Sequence, residues 1–446
     1  MNLRPTVLAL ASWAGLVAST YVADLETSWA QTCDFSPVLA IAEAIVDDAA
    51  LVDAAGVWLE TGDSSVAVES YVGPYGPSTV IPIASASKLI SAVALLTLVD
   101  DGLLDLDLPL SNYLPEFTGL KGTMTVRQMF SHTSGLPGGS THPVLSDSSI
   151  TLAEAASQIA CCIELDAPPG TQFAYGGLSM HVVGRVAEVV TGQPWAVLFA
   201  TRVAVPLGLT DTDYYAFGFT QNPRVAGGVR STLTDYAVVL RMLRDGGLHQ
   251  GVPFLSANAL SVLTSDQTNG VPIVDSPAGD DRRYGFGAWL DLVGDDGETL
   301  RISSPGAFGF TPWVDLDLHL SGLFVIEYLF SLVQTEVEAM QALARSEVLD
   351  CVAQFRRGDV NRDQALDIAD VVSLLGVLFS APPPLPEPGC VDRLDTNDDG
   401  AVDIADAVRL LATLFGASAP PLPAPGASCN FDGTPDALPC EASACP

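Results

Sequence analysis

Strand patterns stand at the two ends of a long helical stretch. Near the start, Ala55-Gly-Val-Trp-Leu-Glu60 and the alternating run from Ser65 to Tyr71, which follows a Gly-Asp turn, predict a hairpin. The next strand signals come much later, at Tyr284 to Leu292, Trp313 to Asp317 and Ser321 to Tyr328. Between the two sets lie helical patterns at Leu89–Val99, Ser179–Thr191, Trp195–Leu207, Thr232–Leu243 and Ser256–Ser265. An apolar helix precedes the first strand, and an amphipathic one, Glu336 to Val352, closes the region. Strands must pair, so a sheet has to join segments far apart in the chain. This pattern predicts an α+β fold.

The first central helix carries chemistry at its start. In Ile83-Ala-Ser-Ala-Ser-Lys-Leu-Ile90, a serine stands three residues before a lysine. Positions i and i+3 share a helix face, so Lys88 can reach Ser85. A serine hydroxyl needs a base to become a nucleophile, and a lysine serves once apolar neighbours favour its neutral form. Free N–H groups at the helix start suit a developing oxyanion. The plain alternative is a serine cap followed by a solvated lysine. Composition speaks against it: of 19 basic residues only two are lysines, Lys88 and Lys121.

The net charge of −34 argues against nucleic-acid partners and against anionic membrane surfaces. Residues 1–30 read as a secretion signal, with Arg4, an apolar run from Val7 to Ala18, and Ser28-Trp29-Ala30 as the cleavage site. No later stretch is apolar enough to span a bilayer. The expected location is secreted, periplasmic or cell-surface. Eight cysteines fit that compartment. Cys390, Cys429, Cys440 and Cys445 are candidates for two bridges, Cys33 and Cys351 for a third. Cys161 and Cys162 read as buried thiols, and no Cys/His cluster suggests zinc.

A second candidate is Phe173-Ala-Tyr-Gly-Gly177, a tyrosine in a Gly-rich loop ahead of a helix. A phenolate near a cationic lysine is a plausible general base. Ser304-Pro-Gly-Ala-Phe-Gly309 is a Gly-rich turn between strands, and His132-Thr-Ser-Gly-Leu-Pro137 lies earlier. These segments, in this order, resemble the serine β-lactamase and penicillin-binding protein superfamily, in its class C-like branch of D-aminopeptidases, D,D-peptidases and carboxylesterases. Ser85-Ala-Ser-Lys88 matches its first motif. Tyr175-Gly-Gly177 stands where that branch has Tyr-x-Asn, and Ser304-Pro-Gly306 where it has Lys- or His-x-Gly. The resemblance covers residues 35–350. It implies an antiparallel sheet flanked by helices plus a helical subdomain. It also implies that Ser85 attacks a carbonyl, that Lys88 and Tyr175 move its proton, and that the N–H groups of Ser85 and Ala307 form the oxyanion hole. Gly177, Ser304 and Gly306 would line the substrate site. Gly177 and Ser304 lack the side chains that grip a β-lactam's amide and carboxylate. No cofactor is needed for such catalysis, and His132 is expected to be structural.

From Gly358 the character changes. Asp359, Asn361, Asp363, Asp367 and Asp370 place oxygens at loop positions 1, 3, 5, 9 and 12, with the Ala365 carbonyl at position 7. Asp395, Asn397, Asp399, Ala401, Asp403 and Asp406 repeat the pattern 36 residues later. Each loop runs into an apolar helix, Ile368 to Phe379 and Ile404 to Phe415. The pair resembles a dockerin, an EF-hand-type, calcium-folded module that binds cohesin domains. Gln364 stands at position 6 of the first loop, where Gly400 stands in the second.

The expected organisation is a signal at 1–30, a serine hydrolase domain at 31–352, a dockerin-like calcium module at 353–420, and a Pro/Cys-rich tail at 421–446. The expected activity is acylation of Ser85 by a small ester, amide or peptide, of the carboxylesterase or D-amino acid peptidase type. The rivals are a β-lactamase or D,D-carboxypeptidase acting on cell-wall peptides, and a catalytically silent binding protein.

Overall fold

The computed structural model describes residues 34–48, 54–62, 67–279, 281–294, 297–351, 355–379, 390–416, 420–423, 425–426 and 438. The expected signal, and Cys33, Cys429, Cys440 and Cys445, lie outside these residues.

Seven strands form the main sheet: β1 Ala55–Thr61, β2 Ala67–Val72, β3 Arg283–Tyr284, β4 Trp289–Val293, β5 Thr299–Ser303, β6 Phe310–Asp315 and β7 Leu320–Ile326. Their order is β2-β1-β7-β6-β5-β4-β3, and every neighbouring pair is antiparallel. The two ends of the chain's catalytic region meet where β1 pairs with β7, from Ala55 opposite Ile326 to Thr61 opposite Leu320. The labelled helices are α1 Ser36–Asp48, α2 Ser87–Asp100, α3 Leu152–Cys162, α4 Leu178–Thr191, α5 Leu233–Arg244, α6 Gln334–Cys351, α7 Ile368–Phe379 and α8 Ile404–Phe415.

Both faces of the sheet are covered, and the strands show it residue by residue. Side chains alternate between the faces of a strand. Ala55, Val57, Leu59, Phe324 and Ile326 pack with α1 and α6. Trp58, Leu323 and Val325 pack into the larger core that holds α2, α4 and α5. α2 is buried on every side from Ser87 to Leu98, as expected of a helix apolar all round. It forms the centre of the domain and brings Ser85 against the turn that leads into β6.

Three expectations need correction. The run Tyr284 to Leu292 is not one strand: the Gly285 N–H donates to the Ala288 carbonyl at 2.8 Å, and the turn splits it into β3 and β4. The helix expected over Trp195–Leu207 contains a π turn at Ala200–Ala204, ahead of Pro206, whose ring lacks an N–H and crowds the preceding turn. Cys161 and Cys162 are not buried thiols. They stand exposed in the last turn of α3 and form a disulfide, S–S 2.05 Å, where the backbone turns extended at Ile163. Cys390 is also disulfide-bonded.

Candidate active site

Ser85 lies in a single 3₁₀ turn, Ala84–Ala86, that feeds directly into α2. Ala84 holds φ at +46°, in the left-handed region that residues with a side chain avoid. Such strain costs about 1–3 kcal/mol and persists only where neighbours fix it. Here the Ile83 N–H donates to the Val229 carbonyl at 3.0 Å, and the Tyr236 hydroxyl donates to the Ala86 carbonyl at 2.7 Å.

Lys88 is 1% exposed. Its Nζ lies 3.0 Å from Ser85 Oγ and 2.9 Å from the Ala226 carbonyl. It also stands 4.6 Å from the centre of the Tyr175 ring. Among the described residues no carboxylate pairs with it. The ammonium is therefore held by a hydroxyl, a carbonyl and an aromatic face. Tyr175 is itself fixed on all sides. Its ring stacks on Trp289 at 5.3 Å and meets His132 at 4.5 Å. Its N–H donates to the Asp275 carbonyl at 2.9 Å, and its carbonyl accepts from Gly139 at 2.7 Å.

His132 sits behind this tyrosine. Burial, and then the charge of Lys88, hold its pKa well below 6.5. Its Nδ1 accepts the Gly176 N–H at 3.3 Å, so a neutral ring fits the position. The expected structural role agrees with this placement.

The two departures from the family motifs have physical counterparts. A Cβ on Gly177 would lie 3.0 Å from Leu145 Cδ1 and 3.7 Å from the Ala226 Cβ. Leu145 thus crowds the position where the family carries an asparagine side chain. Ser304 donates to the Ser85 carbonyl at 3.0 Å, bracing the backbone at Ser85. Gly306 passes so close to the nucleophile turn that a Cβ there would lie 2.2 Å from the Ile83 carbonyl oxygen. The same turn carries Ala307 and Phe308, both exposed. Ser85, Lys88, Tyr175, Ser304 and Gly306 therefore converge from segments spread over some two hundred residues. Sequence reading missed the Ala226 carbonyl, the Trp289 platform and the Leu145 filling, since no local pattern marks any of them.

The two loops of the tail share part of their geometry. Gln364 N donates to Asp359 Oδ2 at 3.2 Å, and Gly400 N to Asp395 Oδ2 at 2.7 Å. Ala365 N donates to Asp363 Oδ1 at 2.9 Å, and Ala401 N to Asp399 Oδ1 at 3.1 Å. Asp367 N donates to Asp370 Oδ2 at 2.9 Å, and Asp403 N to Asp406 Oδ2 at 2.8 Å. Asp359 Oδ1 and Asn397 Oδ1 are buried without a hydrogen-bond partner. A hard cation with oxygen ligands fits this donor set. Among the described residues, the carboxylates that come together are instead Asp392, Asp395 and Asp398, with ligand atoms within 4.8 Å of one another. Arg357 bonds Asp392 at 3.1 Å and Asp398 at 2.9 Å there, so an arginine already balances much of that charge. Among the described residues, no helix is long and apolar enough to cross a membrane.

The β-lactamase family model matches residues 47–343. A 145-residue stretch is 33% identical to the D-alanyl-D-alanine-carboxypeptidase/endopeptidase AmpH of Escherichia coli K12, covering 30% of this chain and 37% of that protein. A 158-residue stretch is 34% identical to the esterase EstB of Burkholderia gladioli, covering 32% of this chain and 40% of the esterase. The chain thus spans about two fifths of the length of these curated relatives. The crystal structure of a candidate β-lactamase from Bacteroides dorei DSM 17855 superposes with a TM-score of 0.62 at 27% identity, over 69% of this chain and 99% of that one. The chain belongs to the β-lactamase family, whose members are serine hydrolases.

Proposed function

We propose that the protein is an exported acyl-transfer hydrolase of small esters or amides. Ser85 Oγ attacks the substrate carbonyl, and its proton passes through Lys88 and Tyr175 to the leaving group, which departs. Water then attacks the acyl-serine with the same two groups as base and acid, releasing the carboxylic acid. The N–H groups of Ser85 and Ala307 hold the oxyanion, a contribution of about 3–4 kcal/mol per donor in other hydrolases. The observation that carries this reading is the buried Lys88, held 3.0 Å from Ser85 by the Ala226 carbonyl. The ester preference rests on Leu145 occupying the space beside Gly177, and on Ser304 facing the Ser85 carbonyl instead of offering a cation. A D,D-carboxypeptidase or β-lactamase activity is the second reading, favoured by the similarity to AmpH. In the tail, the two Asp-rich loops are read as calcium sites, with Asp359 to Asp370 and Asp395 to Asp406 as ligands and a cohesin-like protein as partner.

One screen separates these readings: an aryl acetate, a D-Ala-D-Ala peptide and a chromogenic cephalosporin, with Ser85→Ala as control. The expected order puts the aryl ester first. Comparable efficiency on the cephalosporin would overturn the ester preference. No turnover of any of the three would leave the silent binding protein.

A further inference from the structure

We propose that Arg224, seated on the ring of Phe217, selects substrates at the mouth of the cleft by binding a carboxylate on a molecule that also carries an apolar or aromatic group. This rests on the acyl-serine reading and adds a substrate class to it.

The first observation is an unpaired cation. The chain carries a net charge of −34, and many of its arginines are matched by carboxylates. Arg127, Arg230, Arg244 and Arg301 each lie within 3.0 Å of one. Among the described residues Arg224 has no such partner. It is half-buried, and its guanidinium carbon stands 4.6 Å from the centre of the Phe217 ring. A partly desolvated guanidinium with free N–H groups is built to take a carboxylate through two parallel bonds.

The second observation is where it stands. Arg224 opens a tight turn, its carbonyl accepting from Gly227 at 3.0 Å and Gly228 at 2.7 Å. Inside that turn the Val225 carbonyl accepts from Ser91 at 2.7 Å, and the Ala226 carbonyl accepts from Lys88 at 2.9 Å. Two residues of backbone, at most about 7 Å, separate Arg224 from the residue that holds the lysine. The turn is thus bolted to the nucleophile helix and to its base.

The third observation is the aromatic loop that carries Phe217. Tyr215 and Phe219 stack at 5.6 Å, and the Ala216 N–H donates to the Gly228 carbonyl at 3.2 Å, tying the loop tip to the turn. Phe217 is 56% exposed and Phe219 is 79% exposed, so both rings are open to a ligand. Phe308, beside Ala307 on the turn against Ser85, is 40% exposed. A bare phosphate gains nothing from such rings, whereas an aryl or alkyl carboxylate gains from rings and cation together.

Boronic acids, which bind a nucleophilic serine without turnover, test this in the full-length protein. Calorimetry should give at least tenfold tighter binding of 3-carboxyphenylboronate than of phenylboronate. Arg224→Gln should bring that ratio near one, Arg224→Lys should keep part of it, and added salt should narrow it. Thermal melts of both variants check that they fold. Equal affinity for the two boronates in the unaltered protein, or a preference that survives Arg224→Gln, overturns the inference and leaves the acyl-serine reading intact. Binding of neither boronate defeats both. Ser85→Ala, which should lose phenylboronate, reports on the acyl-serine reading alone.

Discussion

Ser85 and Lys88 are separated by one helical turn, and that spacing alone places Nζ within reach of Oγ; the observed 3.0 Å is what an i, i+3 pair gives. What holds the pair in place lies elsewhere in the chain. The Ala226 carbonyl that steadies Lys88 is 138 residues away, and Trp289, on which Tyr175 stacks, belongs to a different strand. This is why the serine–lysine pair is legible in sequence while its supports are not. Ser85→Ala should abolish turnover, and mass spectrometry after fluorophosphonate treatment should find the adduct on Ser85 in the unaltered protein; an adduct on any other residue would refute the assignment. Tyr175→Phe keeps the ring that caps Lys88 and stacks on Trp289, so the fold should survive. Loss of the hydroxyl should slow turnover by roughly 100- to 10,000-fold if the phenol moves a proton. A variant that retains most of its rate on every ester tested would remove Tyr175 from the mechanism.

At the scale of elements, the α+β class follows from strand signals at both ends of the region, and the sheet does join segments far apart in the chain, with β1 against β7. Local punctuation was decisive where it was overlooked. Thr151-x-x-Glu154 forms a capping box at the start of α3, a helix the pattern reading passed over although its start signal is written in four residues. Two contacts between elements lead to predictions. Gly306 crosses the Ile83 carbonyl so closely that Gly306→Ala places carbon 2.2 Å from backbone oxygen. Neither side is a flexible side chain, so the nucleophile turn must shift. The expected result is a stability loss of about 1–3 kcal/mol and at least a tenfold fall in ester turnover; a variant with unchanged melting and rate would show that the turn adapts freely. The second contact is His181 of α4, which bonds Asn222 at 2.7 Å, while Asn222 donates to the Val144 carbonyl at 2.9 Å. Burial first, and the nearby Arg224 charge, take the His181 pKa from 6.5 down to about 4. The unfolded chain therefore binds this proton more readily than the folded one. The stability from His181 is fully present above pH 6.5 and is lost as the pH falls through about 4, roughly 3 kcal/mol over the window. Urea midpoints at pH 7 and pH 4.5 should drop further for the unaltered protein than for His181→Gln; parallel drops would exclude the effect.

The whole molecule joins a catalytic domain with a closed core to a tail with very little. The catalytic region buries two apolar clusters, one on each face of its sheet. The tail's cluster is small, centred on Val360, Val371, Leu374, Leu394, Ala407 and Leu410, with α7 packed on α8. So small a core is not expected to hold a fold alone, and such modules are commonly completed by a metal. Charge makes the need sharper. Asp395, Asp399, Asp403 and Asp406 have no arginine or lysine within ion-pair distance among the described residues, since Arg357 is engaged with Asp392 and Asp398. A divalent ion held by these oxygens would turn mutual repulsion into attraction, and calcium accepts more than six oxygens in flexible geometry where magnesium does not. The two loops should differ. Gly400 adopts φ +79° without strain, whereas Gln364 must hold φ +67° with a side chain attached. Asp395→Ala should therefore cost more calcium affinity than Asp359→Ala. Titrating the full-length protein with calcium after chelation should give heat of binding, together with a gain of helical circular dichroism from the tail. Ester turnover should change little, because no tail residue reaches the Ser85 site in the contacts described. A chelated protein with no calcium heat and no helical gain would refute the calcium reading; equal losses from the two aspartate variants would refute the ranking of the loops.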